Sequence, residues 1–303
     1  MQYSTFAAID IGSYDVILEI FEISKKQGIR SVDKICHRME LGKDTYTLGK
    51  IRPEMEEELC RVLADFVRIM EGYRVDDYRA AASSAISEAS NSLYVLGKIH
   101  QLTGLSVTVL SNSEQRFLGY KALAAMEDNF NKVIEKGTAI LDLDGGSFQI
   151  SLFDKDALVT TQNIRMGSLR VRERLAGIQS ETEHYEEMVE ELIWNEVSSF
   201  KKMYLKDRKI ENIMLIGDVF TDSVYQNIEE KTTKIISREN FNTWYEKIIR
   251  QSPMELAVKL GIPLENASLM YPSAVIYKCL IDMMEAEHVW IPGVHMTRGI
   301  AYE

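Results

Sequence analysis

Two stretches of the chain decide its fold: FAAIDIGSYDVILEIFEI at residues 6–23 and TAILDLDGGSFQISLFDK at residues 138–155. Each stretch has an apolar strand, a tight turn that contains Asp, Gly and Ser, and a second strand in which apolar and polar residues alternate. This order is typical of a β-hairpin, and its recurrence in the second half of the chain indicates an internal duplication. Because glycine is common in hairpin turns that bind nothing, one such turn alone would carry little weight.

The segments that follow the two hairpins also correspond. In each half the order is a third strand-like stretch, a long amphipathic helix and a short β-like run. These segments cover residues 29–41, 53–74 and 77–85 in the first half, and residues 157–166, 181–205 and 212–220 in the second. The sequence therefore predicts two α/β domains, residues 1–125 and 126–303, that face each other across a cleft. The last short helix is expected to pack on the first domain.

The composition excludes several classes of protein. A formal net charge of −11 argues against nonspecific binding to nucleic acid or to an anionic membrane surface. No apolar run is long enough to span a bilayer, and the first residues lack the basic start and the cleavage site of a signal peptide. Cys36, Cys60 and Cys279 show no metal-ligand spacing, so free thiols are expected. These features favour a cytoplasmic protein.

The two hairpin turns are suited to bind phosphate. Gly12 lets the backbone approach a ligand closely and tolerates a positive φ, and consecutive amides at Gly12 and Ser13 would point at phosphate oxygens. The second turn offers Gly145, Gly146 and Ser147 in the same way. Two such turns at equivalent positions of a duplicated chain indicate a phosphate site, which a single turn would not.

The acidic residues of the same turns indicate a metal ion. A carboxylate repels phosphate, so it needs a cation between them if both belong to one site. Asp10 in the first turn, and Asp142 and Asp144 in the second, are therefore predicted to hold Mg²⁺, which in turn bridges to the phosphate.

These loops resemble those of the exopolyphosphatase/guanosine-pentaphosphate phosphatase (Ppx/GppA) family, and the similarity continues along almost the whole chain. In order, the family's patterns are D-[IL]-G-S-N-S, A-T-S-A-[LI]-R-[DE]-A-x-N, S-G-x-E-E-A-R-L, D-I-G-G-G-S-T-E, L-G-A-V-R, P-x-A-x-I and R-E-G-[LI]. The corresponding segments here are residues 10–15, 82–91, 111–118, 142–149, 166–170, 272–276 and 297–300. Their shared order and spacing set the resemblance apart from a chance match.

The resemblance implies two actin-like domains of the ribonuclease H-like (ASKHA) superfamily, and it implies a mechanism. In the family the terminal phosphate of polyphosphate or guanosine pentaphosphate lies between the two loops, Mg²⁺ neutralises its charge, and water attacks in line. One glutamate from S-G-x-E-E and another that ends the second loop orient or deprotonate the water, and the arginine of A-T-S-A-[LI]-R binds phosphate. Arg170, matched to L-G-A-V-R, is expected to contact the cleft. A homodimer is expected from the resemblance alone.

The chain departs from the family pattern at all three of these functional positions. Gln115 and Gln149 stand where the family has its two glutamates, and Ser87 stands where it has the arginine. Glutamine nearly matches glutamate in shape but cannot accept a proton. Because general-base catalysis contributes on the order of 10²–10⁴-fold, these changes predict that hydrolysis is lost or much weakened.

The loops themselves are changed as well. Asp144 replaces a usual glycine and adds a negative charge where a phosphate should sit. Tyr14 and Asp15 replace the usual Asn and Ser of the first loop. Residues 216–220, matched to a glycine-rich turn, have lost glycines and gained Asp218.

Three functions are compatible with these residues. The first is a protein that binds a phosphate ligand with little or no hydrolysis. The second is an active Mg²⁺-dependent exopolyphosphatase or guanosine pentaphosphate phosphohydrolase, in which Glu114 or Asp144 serves as base or metal ligand. On a helix Glu114 would point about 100° away from Gln115 around the axis, so this needs an irregular helix start. The third is an actin-like ATPase or kinase, which the few glycines at residues 216–220 disfavour.

Overall fold

The computed structural model describes residues 3–26, 28–126, 130–176, 184–206, 208–217, 219–227 and 235–303. Packing divides the chain into two compact units: Met1–Ala122 with His295–Glu303, and Leu123–Val294. The break thus lies between residues 122 and 123, and the sequence prediction put it between residues 125 and 126. None of the helices within the described ranges is both long and apolar enough to cross a bilayer.

The first unit contains a five-stranded mixed sheet with helices on it. In chain order its elements are β1 (Ser4–Ile11), β2 (Asp15–Ser24), β3 (Gly28–Arg38), α1 (Leu41–Leu48), α2 (Pro53–Tyr73), β4 (Asp77–Ala82), α3 (Ser84–Ser87), α4 (Ser92–Thr103), β5 (Val107–Val109) and most of α5 (Asn112–Met126), up to Ala122. Strands β1, β2 and β3 pair antiparallel, whereas β4 and β5 continue the sheet in parallel with β1. The strand order is β3-β2-β1-β4-β5.

The second unit repeats this plan around a six-stranded sheet. Its elements are α6 (Phe130–Ile134), β6 (Thr138–Leu143), β7 (Phe148–Asp154), β8 (Ala157–Ile164), α7 (Ser168–Arg174), α8 (Tyr185–Phe200), a π-helical turn (Lys201–Leu205), β9 (Asn212–Ile216), α9 (Val219–Asn227), β10 (Ile235–Ser237), α10 (Arg238–Ile249), α11 (Pro253–Leu260), α12 (Leu264–Met284) and β11 (His288–Trp290). The sheet order β8-β7-β6-β9-β11-β10 has the first unit's arrangement of two antiparallel hairpin partners and a parallel neighbour. The predicted duplicated, mixed α/β fold is therefore confirmed.

Strand β1 is buried on both faces because helices cover the sheet from both sides. Ile9 and Ile11 belong to a core shared with α2 and α4, whereas Ala8 packs with Leu118 of α5. Since alternate residues of a strand face opposite ways, Asp10 lies on the face of Ala8. Asp10 and α5, which carries Gln115, are thus placed on the same face of the sheet.

The final helix, α13 (Met296–Ala301), also packs on this face. The Thr297 hydroxyl donates to the buried Glu19 carboxylate of β2. A Cβ added at Gly299 would fall 2.5 Å from the carbonyl oxygen of Leu118, so only glycine lets α13 approach α5 this closely. The end of the chain thereby holds α5 against the sheet of the first unit.

Candidate functional site

The first predicted phosphate loop, between β1 and β2, is closed by its own hydrogen bond. The Gly12 amide donates to the Asp15 carbonyl at 2.9 Å, and Gly12 does not adopt the positive φ that its sequence context allowed. A Cβ at Gly12 would lie 3.0 Å from Oδ1 of Asp15, so the tightness of the turn is what favours glycine. One amide that was predicted to bind phosphate is thus bonded within the loop.

Ser13 belongs to a small network of hydroxyl groups. Its side chain is fully buried, and its Oγ lies 2.8 Å from the Tyr46 hydroxyl and 3.4 Å from Ser84 Oγ. Tyr46 and Ser84 are themselves 2.8 Å apart. The Ser13 hydroxyl is therefore engaged with α1 and α3. Tyr46 carried no signal in the sequence, because its role depends on where α1 packs.

The two unusual residues of the first loop act together with an arginine from the next strand. Arg38 is the cross-strand partner of Asp15, and its Nη1 donates to Asp15 Oδ2 at 2.7 Å. The Arg38 guanidinium also lies 5.9 Å from the ring centre of Tyr14. The sequence did not reveal Arg38, which brings a guanidinium to this loop.

Glu114 is held at the start of α5 by a reciprocal cap. Its carboxylate accepts a hydrogen bond from the Ser111 amide at 2.7 Å, while the Glu114 amide donates to Ser111 Oγ at 3.3 Å. Hydrogen bonds that the carboxylate accepts from the Ser111 amide and from the Ser111 side chain lower the pKa of Glu114. This capping box is a common way to satisfy the first turn of a helix. The Glu114 carboxylate, the candidate substitute base, is therefore engaged in capping the helix.

Gln115 and Ser87 have contrasting surroundings. Gln115 is buried, and its Nε2 donates to the Leu110 carbonyl at 3.4 Å. Ser87, at the end of α3, is exposed, and its hydroxyl donates to the Ser84 carbonyl at 3.5 Å. The position matched to the family's arginine is therefore a solvent-facing serine, bonded to its own helix.

The second loop is closed by two internal bonds. The Asp144 amide donates to the Ser147 carbonyl at 2.9 Å, which forms the turn between β6 and β7. The Gly145 amide donates to Oδ1 of Asp144 at 2.6 Å. A side-chain oxygen is thus bound to an amide that was predicted to bind phosphate.

A row of polar side chains crosses the strands next to this loop. Asp142 of β6 lies opposite Gln149 of β7, and Gln149 lies opposite Asn163 of β8. Residues that face each other across a sheet point to the same side, so the three share one face. Gln149 is buried, and Oδ1 of Asn163 is a buried oxygen without a hydrogen-bond partner. Burial, and to a lesser degree the Asp144 charge, raises the pKa of Asp142 to about 7.

Residues distant in sequence brace the second loop. Arg170 donates from its amide to the Gly145 carbonyl at 2.9 Å and from its Nε to the Gly146 carbonyl at 2.8 Å. A Cβ at Gly217, which has φ of 94°, would lie 2.7 Å from Oδ1 of Asp142. Arg170 therefore supports the loop backbone, and Gly217 makes room for the Asp142 carboxylate. Asp218, noted above as a departure, lies outside the described residues.

The structure thus groups the predicted residues within each unit. The second unit brings together the predicted loop residues at 142–149 with Arg170. In the first unit, Ser13 meets the segment that follows β4 through Ser84, and Asp10 shares a sheet face with α5. Only Ser87 and Glu114 are exposed and turned to local backbone bonds.

Asn91, which ends a family-like segment, has a structural role. Its Oδ1 accepts from the Ile51 amide at 3.0 Å, and its Nδ2 donates to the Ile51 carbonyl and to Glu56, both at 2.8 Å. Because Asn91→Ala would leave the buried Glu56 with fewer donors, we expect a loss of about 2–3 kcal/mol in unfolding free energy. Urea denaturation measures it. The exposed Asn112→Ala change is the control, and an equal effect there would contradict this role.

Asp142→Asn is expected to stabilise the fold, and more so at higher pH. The pKa of this carboxyl rises from 3.8 to about 7 on folding, so ionisation opposes folding increasingly between these values and fully above them. Since Asp142 is only half-buried, we expect a gain larger at pH 8 than at pH 5 by on the order of 1–2 kcal/mol. Urea unfolding in EDTA measures it. Asp156→Asn, in an exposed turn, is the control, and a gain equal at both pH values would contradict the prediction.

The duplicated sheet order, with Asp10 and Asp142 next to the ends of the first strands of the two units, defines an actin-like two-domain α/β protein. The chain belongs to the Ppx/GppA phosphatase family, whose model matches residues 19–303. The crystal structure of an exopolyphosphatase from Cytophaga hutchinsonii superposes with a TM-score of 0.86 at 17% identity, covering 99% of this chain and 97% of that one. At this identity the match shows the fold.

Curated relatives match at similar identity. A bifunctional 3-dehydroquinate synthase/phosphatase of Fusobacterium nucleatum is 21% identical over 238 residues, which are 74% of this chain and 34% of the relative. Exopolyphosphatase 1 of Mycobacterium leprae is 24% identical over 144 residues, 47% of this chain and 41% of the relative. The match thus spans less than half the length of both curated relatives.

Proposed function

We propose that the chain is a phosphate-binding member of its family whose hydrolytic activity is lost or much weakened. Its ligand would be polyphosphate or a guanosine penta- or tetraphosphate, held in the interdomain cleft that the family resemblance implies. The ligand class follows from the family and from the exopolyphosphatases among its relatives. The homodimer, also implied by resemblance, is part of the proposal, and light scattering would measure it.

The observation that carries the proposal is the pair of buried amides, Gln115 and Gln149. The Gln115 amide nitrogen donates to the Leu110 carbonyl, and an ionised carboxylate at this position would have no proton to donate. The surroundings of Gln115 therefore suit the amide. Loss of both carboxylates removes the groups that would accept a proton from the attacking water.

Glu114 is poorly placed to replace them. Its carboxylate caps α5 through Ser111, and its pKa is lowered by those bonds. A carboxylate with a lowered pKa is a weaker base, and moving it would uncap the helix. These contacts favour the binding function over a rearranged active hydrolase.

The ATPase or kinase hypothesis gains no support, since Gly217 is the single glycine of residues 216–220 and packs against Asp142.

Mg²⁺ is the cation that we propose for this site, with Asp142 and Asp10 as its ligands. The raised pKa of Asp142 beside Asp144 fits such a role, because a divalent cation relieves the cost of an enclosed carboxylate. The described residues contain no group of three or more acidic, His or Cys side chains suited to a metal. Mg²⁺ commonly takes one or two carboxylates with waters and phosphate oxygens completing its shell. When bound, it would neutralise phosphate charge.

Calorimetry combined with a phosphate-release assay tests the proposal. Tripolyphosphate and guanosine tetraphosphate are titrated into the protein with Mg²⁺ and with EDTA, and the same samples are assayed for released phosphate. We expect Mg²⁺-dependent binding with little release, and loss of the Mg²⁺ dependence in Asp142→Asn. Sustained turnover by the wild-type protein would overturn the loss of hydrolysis. Absence of binding to both ligands would overturn the binding function.

A further inference from the structure

We propose that Asp144 acts as a built-in competitor for phosphate at the second loop and so sets which ligands this loop accepts. The inference rests on the proposed phosphate-binding function and adds a specificity determinant to it. It starts from one contact, the 2.6 Å hydrogen bond from the Gly145 amide to Oδ1 of Asp144.

This hydrogen bond matters because the Gly145 amide is one of the donors that a phosphate would use in the loop. An unpaired backbone N–H at a turn attracts phosphate oxygens. In this loop the Asp144 carboxylate oxygen accepts from the Gly145 amide, and a carboxylate is itself an anionic acceptor of the same kind. A phosphate oxygen would have to displace Oδ1 of Asp144 to reach that amide. The loop is thus occupied from within by an acceptor chemically similar to its expected ligand.

Charge adds a second effect of the same sign. Asp144 places a second carboxylate two residues from Asp142, so like charges repel at this loop. A phosphate approaching this loop meets the same repulsion. A polyanion with several charges is penalised more than a short or partly neutralised one, so the loop should favour ligands that arrive with Mg²⁺ already bound.

The loop backbone does not depend on the Asp144 side chain for its shape. The turn is closed by the bond from the Asp144 amide to the Ser147 carbonyl, and Arg170 braces the Gly145 and Gly146 carbonyls. Asp144→Gly keeps all of these backbone bonds, so the side chain can be removed without removing the loop. Asp144→Asn keeps a side-chain oxygen for the Gly145 amide but removes the charge.

The test is calorimetry of the full chain with inorganic tripolyphosphate, at fixed excess Mg²⁺ and in EDTA, for the wild type and both variants. We expect Asp144→Gly to bind at least about 10-fold more tightly, and Asp144→Asn to gain less because its oxygen still occupies the amide. Thermal unfolding of each variant establishes that it is folded. The ¹⁵N–¹H resonance of Gly145 should shift in Asp144→Gly and respond to ligand.

The outcomes separate this inference from the proposed function. Binding by the variant but not by the wild type supports the competitor role and contradicts phosphate binding by the natural chain. Equal affinities overturn the competitor role and leave the proposed function standing. If Asp144→Gly binds more weakly than the wild type, and does so only when Mg²⁺ is present, Asp144 is a metal ligand. That result would also overturn the competitor role. No binding by any of the three proteins would overturn both.

Discussion

Restoring the two carboxylates, in the Gln115→Glu/Gln149→Glu double variant, should raise phosphate release from polyphosphate by at least about 10²-fold over the wild type. Both positions are buried, and Gln149 faces Asp142 directly across the β-hairpin. A carboxylate at either position would supply the basic group that the amides lack. The rate is measured as released phosphate with Mg²⁺ present, for polyphosphate and guanosine pentaphosphate.

The single variants should each give less than the double, because each restores only one of the two missing carboxylates. Gln115→Glu also loses the donor to the Leu110 carbonyl, so it should unfold more easily by about 1–2 kcal/mol. Glu114→Gln serves as the control, since its carboxylate caps α5. If Glu114→Gln abolishes wild-type release, Glu114 is the working base and the amide argument is wrong.

A triple variant adds Ser87→Arg to the two glutamine substitutions. If only this triple variant releases phosphate faster than the wild type, the weak hydrolysis is caused by poor phosphate binding. Ser87 is exposed and bonded to its own helix, so an arginine there has room to extend. Arg38 already brings a guanidinium to the first loop, but Asp15 holds it at 2.7 Å. Comparing double and triple variants therefore separates a missing base from a missing phosphate ligand.

The fold could be predicted because it depends on local periodicity. The hairpins at residues 6–23 and 138–155 and the helix that became α2 gave the repeated plan. Predictions failed where packing overrides local signals. Helix α12 begins at Leu264 and runs through Pro272, although proline normally ends a helix, so the local sequence would place the helix start after the proline. That helix is buried along most of its length, and its packing offsets the lost hydrogen bond.

The candidate site could be predicted only in part, for a related reason. The loop residues can be recognised from the sequence because Asp, Gly and Ser lie next to one another in the chain. Their partners do not: Tyr46 reaches Ser13, Arg38 reaches Asp15, and Asn163 lies beside Gln149, each from a different element. Such contacts follow from the tertiary packing of strands and helices, and a single sequence does not encode them as a pattern.

The sequence also did not predict that two of the loop amides are already hydrogen-bonded. Glycine-rich turns predict amides free to bind an anion, but the Gly12 and Gly145 amides each bond within their own loop. Side-chain conformation decides this in the case of Asp144. The same residue was predicted as a metal ligand because its type allows that role, and calorimetry of Asp144→Gly with and without Mg²⁺ distinguishes a metal ligand from a competitor for phosphate.

Gly167→Ala is expected to be the most damaging single change near the second loop. A Cβ at Gly167 would fall 2.2 Å from the Asp144 carbonyl oxygen, 2.4 Å from the Ser147 amide nitrogen and 2.5 Å from the Gly145 carbonyl carbon. All three neighbours are backbone atoms, so no side-chain rotation relieves the overlap, and the loop or the start of α7 must move. We expect a loss of about 3 kcal/mol in unfolding free energy.

Gly97→Ala is the matched control, because a Cβ there meets nothing within 4 Å in the middle of α4. That variant should gain about 0.5–1 kcal/mol, since alanine favours a helix more than glycine does. Urea denaturation of both proteins gives the comparison. If Gly167→Ala lowers the unfolding free energy while Gly97→Ala raises it, the loss is explained by the close approach of α7 to the second loop. The Gly167→Ala protein should then also bind tripolyphosphate more weakly than the wild type. A Gly167→Ala protein as stable as the wild type would mean that the loop yields to a methyl group and is not braced as described.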